Sequence, residues 1–165
     1  MITLELITPR NASVFKDIRL RALQDSPTAF SSTYAEESKL RDADWVKRAV
    51  QWSSEKSVCY LAMDAGISCG IASGLLDRDD ATRAHLLSMW VALTHRRLGI
   101  GRTLVEAVLS WARMQNAQTL HLLVTSNNEG AIKFYQRLGF SLTGKTESYR
   151  NDPSLLNYEM RRSIS

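Results

Sequence analysis

"RRLGIGRTLVEAV" (Arg96–Val108) decides how this chain is read. Two arginines lead into two glycines spaced one residue apart. Leu104, Val105, Val108, Leu109 and Ala112 then recur at the spacing of one helix face. A helix start leaves its first backbone N–H groups unpaired, with the positive end of the helix dipole behind them. That arrangement suits an anion, phosphate above all. Gly99 and Gly101 place no Cβ between backbone and ligand, and Arg96, Arg97 and Arg102 add positive charge. The turn therefore reads as a cradle for a pyrophosphate. The plainer reading, a strand-to-helix turn that merely needs glycine, stands beside it, because such glycine pairs are common. Two rival motifs fail. No Gly-Lys-Ser/Thr follows, as a Walker loop requires, and position 104 is Leu where a dinucleotide-binding turn has its third glycine.

The elements around the turn follow from periodicity and punctuation. "ITLELIT" alternates as a first strand. Thr8-Pro9 then opens a helix over Asn11–Gln24 that Pro27 stops. Asp42 is the expected cap of a second helix, with Trp45, Val46, Ala49 and Trp52 on its buried stripe. "SVCYLAMDAGISCGIASGLL" is a hairpin turning at Asp64-Ala65-Gly66. "RAHLLSMWVAL" is a fourth strand, "TLHLLVT" a strand of the kind buried on both faces, and "NNEGAIKFYQRL" a helix capped near Asn127 or Asn128 and closed by Gly139. "FSLTGKTESY" and "LLNYEMRRSI" close the chain as antiparallel strands. The strand–helix–strand unit around Gly99 implies one parallel pair. The expected class is α+β: a central mixed, mostly antiparallel sheet of about seven strands flanked by about four helices.

With 165 residues, 44% of them hydrophobic, the chain is expected to form one domain over residues 1–165. No apolar run is long enough to cross a bilayer, and "MITLELITPR" lacks the features of a secretory leader. The cytoplasm is the expected compartment, with no membrane partner. Cys59 and Cys69 match no metal spacing and read as ordinary thiols, so no metal is expected. The net charge of +4 suits an anionic ligand. The basic residues are interspersed with acids and follow no nucleic-acid-binding pattern, so nucleic acid is not an expected partner.

Arg96-Arg97-Leu98-Gly99-Ile100-Gly101 resembles the Gln/Arg-x-x-Gly-x-Gly/Ala signature of the GNAT family of N-acetyltransferases. Asn128, Ala131, Phe134-Tyr135 and Gly139-Phe140 resemble that family's Asn-x-x-Ala-x-x-Phe-Tyr-x-x-x-Gly-Phe stretch. The likeness is strong from Leu86 to Phe140 and weak before Ser57. It implies the GNAT acyl-CoA N-acyltransferase fold, acetyl-CoA as donor, and transfer of an acetyl group to a primary amine by direct attack on the thioester. The acceptor would be a small molecule, an amino-acid-like compound or a protein N-terminus. A homodimer is common in the family.

By that resemblance the backbone N–H groups from Arg97 through Thr103 (Arg97, Leu98, Gly99, Ile100, Gly101, Arg102, Thr103) hold the pyrophosphate, helped by the charge of Arg96 and Arg97. Met89, Trp90 and Val91 pair with the pantetheine arm as an added strand would, with a main-chain N–H there, such as that of Val91, polarising the thioester carbonyl. Asn128 contacts the same arm, or serves only as a helix cap. Tyr135 is the general acid for the departing thiolate, or one of two core aromatics. The fourth strand carries no carboxylate, so Glu36 and Glu37 are the candidates for the base; a solvated helix start is their other reading. Ser88 could act only as a relay. Asp77, Asp79 and Asp80 read as turn residues. Phe30, Tyr34 and the loop near Tyr149 would wall the acceptor side, where the two glutamates favour a cationic amine. The same features would serve a non-catalytic acyl-CoA-binding module, because fold does not fix function.

Overall fold

A computed structural model describes residues 1–164. Its strands are β1 (Ile2–Leu6), β2 (Ser57–Asp64), β3 (Ile67–Leu76), β4 (Arg83–Val91), β5 (Thr119–Thr125), β6 (Ser141–Ser148) and β7 (Leu156–Ser163). They form one seven-stranded sheet in the order β1-β2-β3-β4-β5-β7-β6. Among the described residues, β4–β5 is the one parallel neighbour pair, and the helix between these strands makes the crossover. β7 lies between β5 and β6, so the last strand of the chain is interior to the sheet.

The helices are α1 (Ala12–Asp25), α2 (Tyr34–Glu37), α3 (Asp42–Gln51), α4 (Ile100–Met114) and α5 (Glu129–Arg137). Four have the expected length, and α2 is a single turn, capped by the Thr33 hydroxyl, which accepts from the Glu36 N–H. α4 packs on β2, β3 and β4; α1 packs on β3 and α3. The amphipathic face of α4 explains its place: Leu104, Val105, Val108 and Ala112 are each fully buried.

Three local readings change. The cap of α3 is Arg41, whose N–H donates to the Asp44 carboxylate at 2.9 Å. Asp42 falls inside the first turn and pairs with Lys16 at 3.0 Å. The buried stripe of α3 holds Trp45 and Ala49, but Val46 is 42% exposed. Trp45 packs edge-on against Phe15, with ring centroids 5.4 Å apart, and this fixes the face that α3 turns inward. β5 is not buried on both faces throughout, since Leu123 is half exposed. Cys59 and Cys69 are buried and free, and burial pushes the Cys59 thiol up to about 12.

The orientation of α3 predicts two unlike mutants. Trp45→Ala should cost about 3–5 kcal/mol of stability, as deletion of a buried aromatic does. Val46→Ala should stay within ~0.5 kcal/mol. Urea unfolding checks both, and comparable losses would contradict the assigned face.

Candidate functional site

The site begins where the sheet comes apart. β4 and β5 pair at Arg83↔Thr119, Ala84↔Leu120 and His85↔His121, and no further. β5 continues on its other side, paired to β7 through Thr125↔Asn157. β4 stays with β3 through Val91↔Gly70, across a register shift between Ile71 and Ser73. That shift is a bulge in β4, where Ser88 has φ +55. Ala92 N–H donates to the Cys69 carbonyl of β3 at 2.8 Å. By strand alternation, the polar groups of Val91 therefore point to the edge that β5 has left.

A cavity of about 330 Å³ fills the gap. Ser88 and Met89 of β4 and Leu122–Thr125 of β5 line it, with Asn128, Ala131 and Tyr135 from the α5 side and Phe30 and Tyr149 across the mouth. The Thr125 hydroxyl is buried in this wall without a hydrogen-bond partner. Neither Thr125 nor the Ser88 bulge was legible in the sequence, where both are ordinary strand residues. Trp90 is misplaced by the sequence reading. Its backbone faces β3 opposite Ile71, and its indole N–H turns to Asp25 at 2.9 Å. Val91 lies on the free edge, and Met89 lines the cavity.

The glycine turn stands at one end of this gap. Gly99 caps α4 with φ +81, a conformation that glycine adopts without strain. Gly101 serves a different need, close packing: a Cβ there would lie 3.1 Å from Phe134 Cζ and 3.2 Å from Met89 Cε. Gly101 thus lets the start of α4 pack against β4 and α5. Ile100, Gly101 and Arg102 precede the first intrahelical bond, which Thr103 N–H donates to the Gly99 carbonyl at 3.1 Å. Thr103 is therefore removed from the set of free amides, because its N–H is already engaged. Arg102 is salt-bridged to Glu106 at 2.8 Å, so it offers its amide rather than its charge.

Arg96 also departs from expectation. Its guanidinium is paired with Asp25 at 2.6 Å and donates to the Val91 carbonyl at 3.0 Å. The Trp90 indole N–H first, then Ser26 and Arg96, hold the Asp25 carboxyl below its ordinary value. Arg96 is thus a tie between α1 and the end of β4. Arg97 is exposed, has φ +66, and carries no ion pair among the described residues, so its charge remains available.

Asn128 is the cap of α5: its Oδ1 accepts from Ala131 N–H at 3.2 Å, while the residue lines the cavity. The side-chain Nδ2 has no partner among the described residues. Tyr135 is 8% exposed and packed edge-on between Phe134 and Phe140. Its hydroxyl has no partner among the described residues, and burial pushes its pKa up, which keeps the phenol protonated.

The acceptor side is rearranged. Glu37 is neither solvated nor free: it is 2% exposed, and both its oxygens are occupied. Arg19 grips it at 3.1 and 3.0 Å through two nitrogens, and Arg48 adds a bond of 2.9 Å. Burial alone would raise this carboxyl's pKa; the hydrogen bonds and charge of Arg19, a bond from Ser32 and the charge of Arg48 outweigh it and hold it low. A low-pKa carboxylate with no free oxygen is a poor base, so Glu37 leaves the catalytic set. The third nitrogen of Arg19 donates to the Ser88 hydroxyl at 2.9 Å, joining this ion pair to the bulge. Glu36 is exposed, 3.6 Å from Arg150. Tyr149 donates to the backbone carbonyls of Pro27 and Phe30 and so holds the β6–β7 loop over the cavity. Tyr34 is exposed and lines neither wall. Asp77 accepts from the N–H groups of Asp79 and Asp80 and contacts His85, as a turn residue does. Among the described residues no group of His, Cys, Asp and Glu could hold a metal ion, and no helix is long and apolar enough to cross a membrane.

The sequence pattern that defines the Acetyltransferase (GNAT) family matches residues 19–140. N-acetyltransferase family 8 member 3 of Mus musculus is 32% identical over 97 residues, 57% of this chain and 43% of that protein. The catalytic subunit of the N-terminal acetyltransferase B complex of Schizosaccharomyces pombe is 31% identical over 84 residues, 49% of this chain and 47% of that one. The chain thus spans about half the length of the curated relatives it matches. A GNAT-family acetyltransferase from Streptococcus pneumoniae has the same fold, with a TM-score of 0.85, 20% identity and full coverage of both chains. A protein from Salmonella typhimurium, solved with acetyl-CoA, superposes with a TM-score of 0.79 at 16% identity, covering 100% of this chain and 95% of its own.

The knot around Glu37 has a pH signature. Its folded pKa is depressed, so its contribution is complete above the ordinary value of 4.5 and is lost as pH falls through the lower folded value. Glu37→Gln should cost about 3 kcal/mol near neutrality by leaving two arginines uncompensated. The gap to the parent should narrow only below about pH 4.5. Urea unfolding at several pH values reads this, and a gap independent of pH would contradict it.

Proposed function

The chain belongs to the acetyltransferase (GNAT) family, and from that premise we propose that it is an acetyl-CoA-dependent N-acetyltransferase acting on a primary amine. The observation that carries the reading is the parting of β4 and β5 beside the open start of α4. An extended donor fits there in two ways at once. The pantetheine arm, which bears amides, pairs with the free edge of β4 at Met89–Val91 as an added strand would. The pyrophosphate meets the amides of Ile100, Gly101 and Arg102, with Arg97 adding charge. Asn128 Nδ2 and the unpartnered Thr125 hydroxyl supply further polar contacts along the arm.

The donor brings an activated acetyl thioester, and the chain's own groups do the rest. The Val91 N–H lies on the edge where the thioester carbonyl would be polarised. Tyr135 holds its proton in the cavity wall and points its O–H donor at the departing sulfur. Because its pKa is raised, its contribution is a hydrogen bond that strengthens as negative charge develops on sulfur. The acceptor must attack as the free amine. With Glu37 engaged, Glu36 is the remaining carboxylate of the acceptor side, and its 3.6 Å contact with Arg150 is a loose one.

Two measurements test this reading. Calorimetry with acetyl-CoA should show binding at about 100 μM or tighter, and a panel of amines should release free thiol in its presence. Binding without turnover of any amine would instead favour an acyl-CoA-binding module. Tyr135→Phe should lower kcat by about 10²-fold or more while changing acetyl-CoA affinity little, and an unchanged kcat would remove Tyr135 from its role.

A further inference from the structure

Beside the cleft lies a second cavity of about 440 Å³, within the range of small-molecule sites. The two share Arg19, Trp52 and Ser88, so the second opens directly onto the β4 bulge. Its charged lining is Arg19, Arg48 and Arg150 against Glu36 and Glu37. Glu37 is fully engaged, as described, and Arg19 has committed all three of its nitrogens to Glu37 and Ser88. Arg48 has not. It touches Glu37 through Nη1 alone, with its guanidinium 5.1 Å over the Trp45 ring. Its Nε and Nη2, the edge that grips a carboxylate with two parallel bonds, have no partner among the described residues. The Arg48 side chain is 34% exposed, so a ligand in the cavity can reach that edge.

We infer that Arg48 is the anchor for a carboxylate on the acceptor, so that the substrate class is a small amino acid rather than a plain amine. The inference rests on the acetyltransferase reading above and narrows its acceptor. Two glutamates in the sequence favoured a cationic acceptor; the structure reverses the sign, because one of them is neutralised between two arginines. An amino acid places its ammonium group a few bonds from its carboxylate. With the carboxylate on Arg48, the nitrogen is directed toward Ser88 and the shared opening. A plain alkylamine leaves the Arg48 edge unpaired and meets a net positive wall.

The test compares matched acceptors on the unmodified protein: the common amino acids and their carboxamides, assayed by thiol release from acetyl-CoA. Each carboxamide keeps amine and side chain but loses the negative charge. It also lowers the amine's pKa and leaves more free base, a bias against the expected result. At least one free acid should exceed its carboxamide roughly ten-fold or more in kcat/KM. Arg48→Gln should raise KM for that acid about ten-fold and bring the ratio toward one, with Arg48→Lys restoring part of it. Acetyl-CoA affinity, measured by calorimetry, should not move. Carboxamides equal to or better than the acids in every pair would overturn the inference. So would no turnover in either series with acetyl-CoA bound. Absence of acetyl-CoA binding would instead sink the acetyltransferase reading itself.

Discussion

Beyond His85 and His121, β4 and β5 share no hydrogen bonds, and the molecule is organised around the edge this opens. A strand edge inside a sheet exposes backbone groups that require partners. β4 cannot close the gap from its own side, because the bulge at Ser88 bends it while β3 still holds it. β5 is held away by its full pairing with β7. The two halves of the sheet therefore part around a cavity with polar main chain on one wall and an unpartnered Thr125 hydroxyl on the other. A donor that is itself amide-bearing and extended satisfies what the fold leaves open. This is why the proposed function rests on the sheet rather than on any single side chain.

Electrostatics fixes the second wall. One buried carboxylate, Glu37, joins α1, α2 and α3 through Arg19 and Arg48, and Arg19 carries the connection to the bulge. Removing water from these charges is costly, and the arrangement persists because each oxygen is met by a guanidinium. Asp25 does similar work two residues further along β4, where it receives Trp90 and Arg96. The stretch of β4 that would hold the thioester, from Ser88 to Val91, is thus tied to α1 on both sides of Met89 by charge-assisted bonds. Such ties hold a main-chain N–H in place before any ligand arrives, which is what polarising a carbonyl requires.

The fold was largely legible because periodicity and punctuation mark strands, helices and caps. The order of elements, the hairpin at Asp64–Gly66 and the Asn128 cap all appear where the sequence places them. The glycine turn was legible as the start of a helix, and the structure adds that Gly99 answers to φ and Gly101 to Phe134. What the sequence could not carry was pairing. Arg96 and Glu37 look like free charges in the chain, and only their distant partners, Asp25 for one and Arg19 and Arg48 for the other, show them to be engaged. Val46 and Trp90 went astray for a related reason: the packing of Trp45 on Phe15 and the register with β3 decide which way each residue faces. The Ser88 bulge has no local signature at all.

The most direct test of the central claim is hydrogen exchange at the backbone amides with and without acetyl-CoA. If the donor completes the free edge of β4 and caps α4, peptides covering Ser88–Val91 and Leu98–Arg102 should both become protected at saturation. The N-terminal strand β1, at the far edge of the sheet, should be unchanged. Bound acetyl-CoA with no added protection at either segment would contradict the account.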